Sequence, residues 1–431
     1  MATETDDTEA AGAALAPRAL LLTHIDPAGI DRGRLIPRAG IESALANGVH
    51  ASISSATMFT PLDQPVDAVG LDAVIGDLLL RPDAARLAMI DAPGGWAWAP
   101  ADLCWLDGAP FFGCGRHAVR GAFEALEAEG LSARAGFEIE FTLADGDADN
   151  PAPAHTGPAY GVRPLLRNEA LIRDLLDALE TAGVSPIHVH AEHGLGQFEV
   201  SLPARNPLDA CDDVALARLI IERISMRHSL SVSFAPIPPV GAAANGMHLH
   251  LSVSRGADNL LAPADTGLPG QVGMSLIAGV LDVLPAATAL LAGSEASYER
   301  LRPGRWSGAS LCWGAGNREA AVRYVSGTAD AGASSANIEI KPGDSTANPY
   351  LAMAAILAGA TAGIVRGATA PPPIDISPSH LSADERAERG IRSLPSTLVE
   401  ALDVLGASDT LRASLGDELV DLYTAVRTPR A

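Results

Sequence analysis

Four short segments of this chain alternate apolar residues with glutamate or histidine, and that pattern constrains the fold more than any other feature. In Ala135–Leu143 (AGFEIEFTL), Phe137, Ile139, Phe141 and Leu143 point one way while Glu138 and Glu140 point the other. Side chains alternate across a strand with a period of two, so each such segment reads as a strand with one buried and one polar face. Ile187–Ser201 (IHVHAEHGLGQFEVS) puts His188, His190 and Glu192 on one face, bends at Gly194 and Gly196, and then sets Gln197 and Glu199 together. Met247–Val253 (MHLHLSV) aligns His248, His250 and Ser252, and Asn337–Lys341 (NIEIK) aligns Asn337, Glu339 and Lys341.

A lone glutamate pair on an edge strand is ordinarily solvated, and a lone histidine among apolar residues is ordinarily a satisfied core residue. Four segments of one kind point instead to convergence. A site gathering five carboxylates and one or more imidazoles cannot stay ionised without cations. Carboxylate oxygens with a histidine and no thiolate suit Mg²⁺ or Mn²⁺. Two divalent ions together with arginines imply phosphoryl transfer from a nucleotide. Arg300, Arg318 and Arg323, in SYERL and NREAAVRY, are the candidate arginines.

Composition narrows the class. With 30 Lys+Arg against 52 Asp+Glu, the formal net charge is −22. Such a chain repels phosphate backbones, which argues against nucleic-acid binding. Hydrophobic residues at 48% and charged residues at 19% exclude general disorder. Cys104, Cys114, Cys211 and Cys312 are widely spaced and form no CxxC pair, as expected of reduced packing cysteines in a cytoplasmic protein. Leu276–Gly293 and Pro349–Val365 could imitate membrane spans. Asp282 in the first and the Ala/Gly content of the second make buried helices the better reading, so no membrane is expected. Lys341 is the single lysine in the chain, and a lone lysine on the face of Glu339 invites a functional reading.

The chain divides, in expectation, into an acidic disordered tail (1–16), a small mixed β domain (17–109) and a large second domain (110–431). Strand character is expected at Ala19–Ile25, strand or helix pieces at Asp72–Leu80 and Ala88–Asp91, and a turn over Asp91–Trp98. Gly48–Phe59 reads as small and polar. Helices are predicted at Arg116–Glu129, at Asn168–Ala182 with Asn168 as cap, at Asp209–Arg227, and from Asn348-Pro349 to Gly367. A break at Pro371–Pro373 precedes helical Ser396–Leu405 and Ser414–Arg427. No P-loop or Rossmann glycine motif is present.

Taken in order, HIDPAGIDRGRLIP, GFEIEF, AEHGLGQFEVSL, NGMHLHLS, SYERLRPG, NREAAVRY and IEIKPGDSTANPYLAMAAILAGATAGI resemble the glutamine synthetase family over nearly the whole chain. The resemblance implies an α+β protein, with a small β-grasp N-terminal domain followed by a catalytic domain built on a curved antiparallel sheet. It also implies a homo-oligomer, a dodecamer of two stacked hexamer rings. By the same resemblance Glu140, Glu192 and Glu199 hold a first Mg²⁺ or Mn²⁺ on the glutamate side, and Glu138, His248 and Glu339 a second on the ATP side. Arg318 and Arg323 meet the phosphates, and Arg300 the α-carboxylate of glutamate. His250, Ser252 and Asn337 fall on the nucleotide side, Asn337 in place of a frequent arginine. Lys341 stands where most members have arginine, which keeps the charge but loses the bidentate fork.

Departures from the family pattern bear on the acceptor. Ammonium-using members keep an aspartate near paired serines in the N-terminal domain, but Gly48–Thr57 (GVHASISSAT) has no carboxylate. They also keep a flap glutamate after the SYKRL-like motif, where this chain reads Gly304-Arg305-Trp306-Ser307-Gly308, with Trp306 near the expected position. The expected activity is therefore an ATP-dependent glutamate–amine ligase working through γ-glutamyl phosphate. The partners are glutamate and a small amine such as a polyamine, ethanolamine or an alkylamine. Two rivals remain open: a glutamine synthetase using ammonia, and a non-catalytic paralogue acting as a nitrogen sensor or scaffold. All six ligand positions are retained, which counts against the second.

Overall fold

The computed structural model describes residues 17–90, 95–146, 150–327, 333–429, and the expected N-terminal tail lies outside them. The fold is α+β, with two sheets. The small sheet consists of β1 (Ala19–Ile25), β2 (Asp31–Pro37), β3 (Val49–Ser52), β4 (Asp77–Pro82), β5 (Ala88–Met89) and β6 (Trp96–Cys104). Its order is β2-β1-β6-β4-β3, with β5 beside β6, and β1 and β6 run parallel. Gly48–Thr57 is more regular than its composition suggests. It forms β3 and a short helix, Ile53–Thr57, where the Ser52 hydroxyl accepts the N–H of Ser55 at 3.4 Å. The expected turn at Asp91–Trp98 is corrected at its far end: Trp96–Trp98 open β6, which pairs with β1 and buries Ala97 in one core and Trp98 in the other. Residues 91–94 lie outside the described residues.

Among the described residues the large sheet has eleven strands: β7 (Ser132–Asp145), β8 (Ala152–Pro153), β9 (His188–Ala191), β10 (Gln197–Ser201), β11 (Ser231–Ser233), β12 (Met247–Arg255), β13 (Asp258–Asn259), β14 (Ser310–Ala315), β15 (Ala320–Val325), β16 (Asn337–Ile340) and β17 (Arg392–Ser393). The main path runs β17-β14-β15-β16-β12-β7-β10-β9. It is antiparallel except at β14 and β15, which pair in parallel. Phe137, Ile139, Phe141 and Leu143 of β7 are buried in the main core, against the helix Pro207–Arg227 among other elements. At roughly 25 cal/mol per Å² of apolar surface, that burial fixes the register, and a one-residue slip would turn the glutamates inward.

The two span-like stretches are core helices, Gln271–Leu291 and Pro349–Arg366. They are long and apolar enough to cross a membrane, yet most of each is buried inside the protein. Their glycines are there to bring the backbones together: a Cβ on Gly363 would stand 2.6 Å from the Cα of Gly279. Asn348 caps the second helix, its Oδ1 accepting from the N–H groups of Tyr350 and Leu351 at 3.0 and 3.3 Å. Its Nδ2 donates to the carbonyls of Ile25 and Asp26, tying the NPY segment to the end of β1. Asn168 does not cap by its side chain. A preceding short helix, Val162–Arg167, brings the Pro164 carbonyl close, and Asn168 Nδ2 donates to it instead. The last helical region divides at Gly416, where φ is +88°.

The sheets are joined by charge as well as by packing. Arg116 donates to Asp83 (2.7 Å), just past β4, and to Asp102 (2.6 Å) of β6 in the small sheet. It also donates to both oxygens of the fully buried Asp212 at 3.0 Å. Tyr350 adds a hydroxyl donor to Asp212 at 2.7 Å. All four cysteines are free and buried.

Candidate active site

Adjacent strands β16, β12, β7, β10 and β9 bring the polar faces together. Register places His248 opposite Glu138, Glu199 opposite Glu140, His190 opposite Glu199, and Glu339 between His250 and Arg323. Glu192 lies one residue beyond β9.

The site has two electrostatically different halves. In the first, cations hold the carboxylates ionised. His248 Nδ1 is 3.2 Å from Glu138 and 3.5 Å from Glu339, and His250 Nε2 is 3.4 Å from Glu138. Lys341 Nζ donates to Glu339 Oε1 at 3.0 Å, and Arg323 to Glu339 Oε2 at 2.8 Å. Burial would raise Glu339, but Lys341, His248 and His250 hold it down at about 2. Burial likewise opposes ionisation of Glu138, and its two histidine neighbours, His248 by a hydrogen bond and His250 at 3.4 Å, overcome it, taking the carboxyl well below the usual range. His250 answers in kind: burial is outweighed by Glu138, and its pKa rises.

The second half is short of positive charge. Burial, followed by Glu138, Glu140 and Glu192, pushes Glu199 up to about 10. Burial and Glu140 raise Glu192 as well. His190 is the basic side chain beside them, 3.4 Å from Glu199 and 3.7 Å from Glu192. A divalent cation is the natural complement of such a half, because it makes the ionised form the stable one. The donor set fits one: single ligand atoms from Glu138, His248 and Glu339 lie within 4.8 Å of one another, as do those from Glu140, Glu199 and His248. His248 therefore stands at the junction of both groups, whereas the sequence assigns it to one. Glu192 is at the rim, where its Oε2 accepts the N–H of His193 at 2.9 Å.

The other expected residues are placed as follows. Arg300 is buried, and its guanidinium donates to the carbonyls of Pro342 and Lys341, both at 3.1 Å. It adjoins the cluster through Gly246: a Cβ there would stand 2.6 Å from Arg300 Nη2 and 2.8 Å from His248 Nε2. Asn337 contacts His250 Nδ1 through its Oδ1 at 2.9 Å. Ser252 is not gathered into the cluster; it pairs with Arg134 farther along β12. Arg318 is exposed and lines a cleft of ≈ 470 Å³ together with Trp306, Glu319 and Asp375. Trp306 is 54% exposed and takes a left-handed φ of +54°, a costly conformation for a bulky residue. Its ring meets His193 edge-on at 5.7 Å.

Three participants were not singled out by sequence. Gln197 shares the face of Glu199, which was visible, but its reach was not: Nε2 donates to Glu140 (3.1 Å), the Ala244 carbonyl (2.9 Å) and Asn245 (3.0 Å). Tyr160 lies in a loop without alternation. Burial and then Glu192 raise its hydroxyl to about 12. Gly246 gave no signal beyond its presence in NGMHLHLS, although its N–H donates to Glu140 at 2.7 Å.

Residues 112–429 match the family model "Glutamine synthetase, catalytic domain". The chain is 42% identical over 417 residues to a gamma-glutamylpolyamine synthetase of Streptomyces coelicolor, spanning 96% of this chain and 89% of that protein. It is 31% identical over 397 residues to a glutamine synthetase of Methanocaldococcus jannaschii, spanning 88% and 83%. Among solved structures, a "novel glutamine synthase homolog" superposes with a TM-score of 0.83 at 32% identity, covering 95% of this chain and 93% of that one.

Proposed function

The chain belongs to the glutamine synthetase family and is an ATP-dependent carbon–nitrogen ligase, and within that family we propose that its acceptor is a primary amine with a carbon skeleton, di- and polyamines foremost. The likeness to a gamma-glutamylpolyamine synthetase carries this reading. The indole of Trp306, half-exposed beside the cleft of Arg318, supports it as a wall for an alkyl chain.

In this reading a γ-carboxylate oxygen of glutamate attacks the γ-phosphorus of ATP, and ADP departs with the electron pair of the broken P–O bond. The amine nitrogen then attacks the γ-carbonyl carbon of γ-glutamyl phosphate, loses a proton, and phosphate leaves. Glu138, His248 and Glu339 would hold one Mg²⁺ or Mn²⁺, and Glu140, Glu192 and Glu199 another. When bound, these ions neutralise the charge of the phosphates and the carboxylates. Arg300 binds the α-carboxylate of glutamate by charge-assisted hydrogen bonds. Arg318, Arg323 and Lys341 steady the transferred phosphoryl group, while His250 and Asn337, with Ser252 farther out, border the nucleotide. The working protein is a cytoplasmic ring-stacked homo-oligomer, a dodecamer of two hexamers, with no nucleic-acid or membrane partner.

A panel assay decides the acceptor. ATP-dependent phosphate release with glutamate is measured for ammonium, methylamine, ethanolamine and putrescine. A higher kcat/KM for an organic amine is the expected result. Ammonium as the best substrate makes the protein a glutamine synthetase.

A further inference from the structure

Glu319 has no part in the roles above, yet it is buried at the edge of the Arg318 cleft with both carboxylate oxygens engaged by main chain. Oε1 accepts the N–H of Trp306 at 2.7 Å and Oε2 that of Gly304 at 3.1 Å. The Glu319 N–H in turn donates to Asn317 Oδ1 at 3.1 Å. Asn317 Nδ2 donates to the carbonyls of Ile374 and Ile376 at 2.9 and 3.1 Å. The turn 317–319 thus grips the flap bearing Trp306 and the irregular segment 374–376, and it carries Arg318 between those two holds. Hydrogen bonds to an ionised acceptor are the strong kind, able to offset the left-handed backbone of Trp306.

We propose that Glu319 is a positioning residue that sets the acceptor flap: by accepting the N–H groups of Gly304 and Trp306 it fixes the indole beside His193, in register with Arg318 on the same turn. The wall for the amine and an arginine for the phosphate then take up position together. The proposal rests on Trp306 bordering the acceptor.

The test compares Glu319→Gln and Glu319→Ala with the wild type for all three substrates. Glutamine keeps one acceptor oxygen, and alanine keeps none. The amine KM is expected to rise about tenfold in the alanine variant, the order of a lost charge-assisted hydrogen bond, and less in the glutamine variant. KM values for ATP and glutamate should stay within about twofold, and amine-independent ATP hydrolysis should rise relative to amide formation, because a loosened flap admits water. An unchanged amine KM in the alanine variant, or an equal rise for all three substrates, overturns the proposal. So does a glutamine variant that loses about 10² or more in kcat together with one limb of the pH–rate profile, which would make Glu319 a general base. If the alanine variant does not fold, the glutamine variant decides by the same readouts. The acceptor reading fails separately, in the wild type, if ammonium outperforms putrescine; the variant ratios are then measured with ammonium.

Discussion

Lys341 Nζ lies 3.0 Å from Glu339 Oε1 and 3.5 Å from His248 Nε2, so the only lysine of the chain sits inside the carboxylate cluster. It is 3% exposed, so its ammonium is held within the cluster and away from the surface. A compact ammonium neutralises charge but cannot grip two oxygens in a plane. Lys341→Met is expected to lose about 10² or more in kcat while Lys341→Arg keeps part of it, read from steady-state kinetics. A silent methionine variant would leave Lys341 a structural counter-ion.

Metal dependence follows from the charge deficit around Glu199 and Glu192. Excess chelator should abolish turnover, and Mg²⁺ or Mn²⁺ should restore it. Glu140→Ala and Glu339→Ala should each cost at least about a hundredfold in activity, more than the loss of a group that merely supports a metal ligand. Far-UV circular dichroism should stay unchanged. Full turnover in chelator would remove the metal assignment.

Arg300 holds the carbonyls of Lys341 and Pro342, so its removal acts on substrate and backbone together. Arg300→Lys is the cleaner variant, since it keeps the charge but loses the fork. Its glutamate KM is expected to rise about tenfold with ATP affinity nearly unchanged, as two separate binding titrations would show. An equal loss of ATP affinity would place Arg300 on the nucleotide side.

Acceptor choice should follow the flap. Two methylenes packed against Trp306 contribute about 1.6 kcal/mol, or roughly fifteenfold in kcat/KM. Trp306→Glu removes that wall and offers a carboxylate, so the putrescine-to-ammonium ratio should fall by about that factor. A ratio that does not move would mean the indole does not border the acceptor.

The small sheet carries its own acid sensitivity. His24 donates through Nε2 to the Ala56 carbonyl at 3.0 Å, and its Nδ1 has no hydrogen-bond partner among the described residues. Burial, the largest effect, lowers its pKa from 6.5 to about 4; the Ala56 hydrogen bond opposes this and Arg32 and Arg34 assist it. A depressed histidine favours the fold when neutral. Its contribution is complete above pH 6.5 and falls away as pH drops through 4, by at most about 3 kcal/mol. Urea unfolding between pH 7 and 4 should show that slope, and His24→Gln should flatten it.

What the sequence made legible was local. Alternation in AGFEIEFTL and MHLHLSV located the strands and sorted Glu138, Glu140, His248 and His250 onto one face, because period two is a property of neighbouring residues. Asn348-Pro349 announced its helix for the same reason. What stayed hidden depends on distance through space. Nothing in NREAAVRY indicates that Glu319 reaches back to Trp306, or that Arg318 leaves the cluster for the cleft. The sharing of His248 between two ligand groups comes from strand register, and Tyr160 arrives on a loop whose path no periodicity describes.

Arg116 also constrains which N-terminal part this chain could accept in exchange for its own. Its guanidinium is satisfied by Asp83 and Asp102 from one sheet and by Asp212 from beneath the other. A hybrid whose N-terminal part lacked acids at those two places would leave Arg116 with Asp212 as its acceptor, with fewer bonds than a buried arginine needs. An N-terminal part exchanged into this chain would therefore need acids at positions 83 and 102 to keep Arg116 satisfied, although the contact joins two sheets.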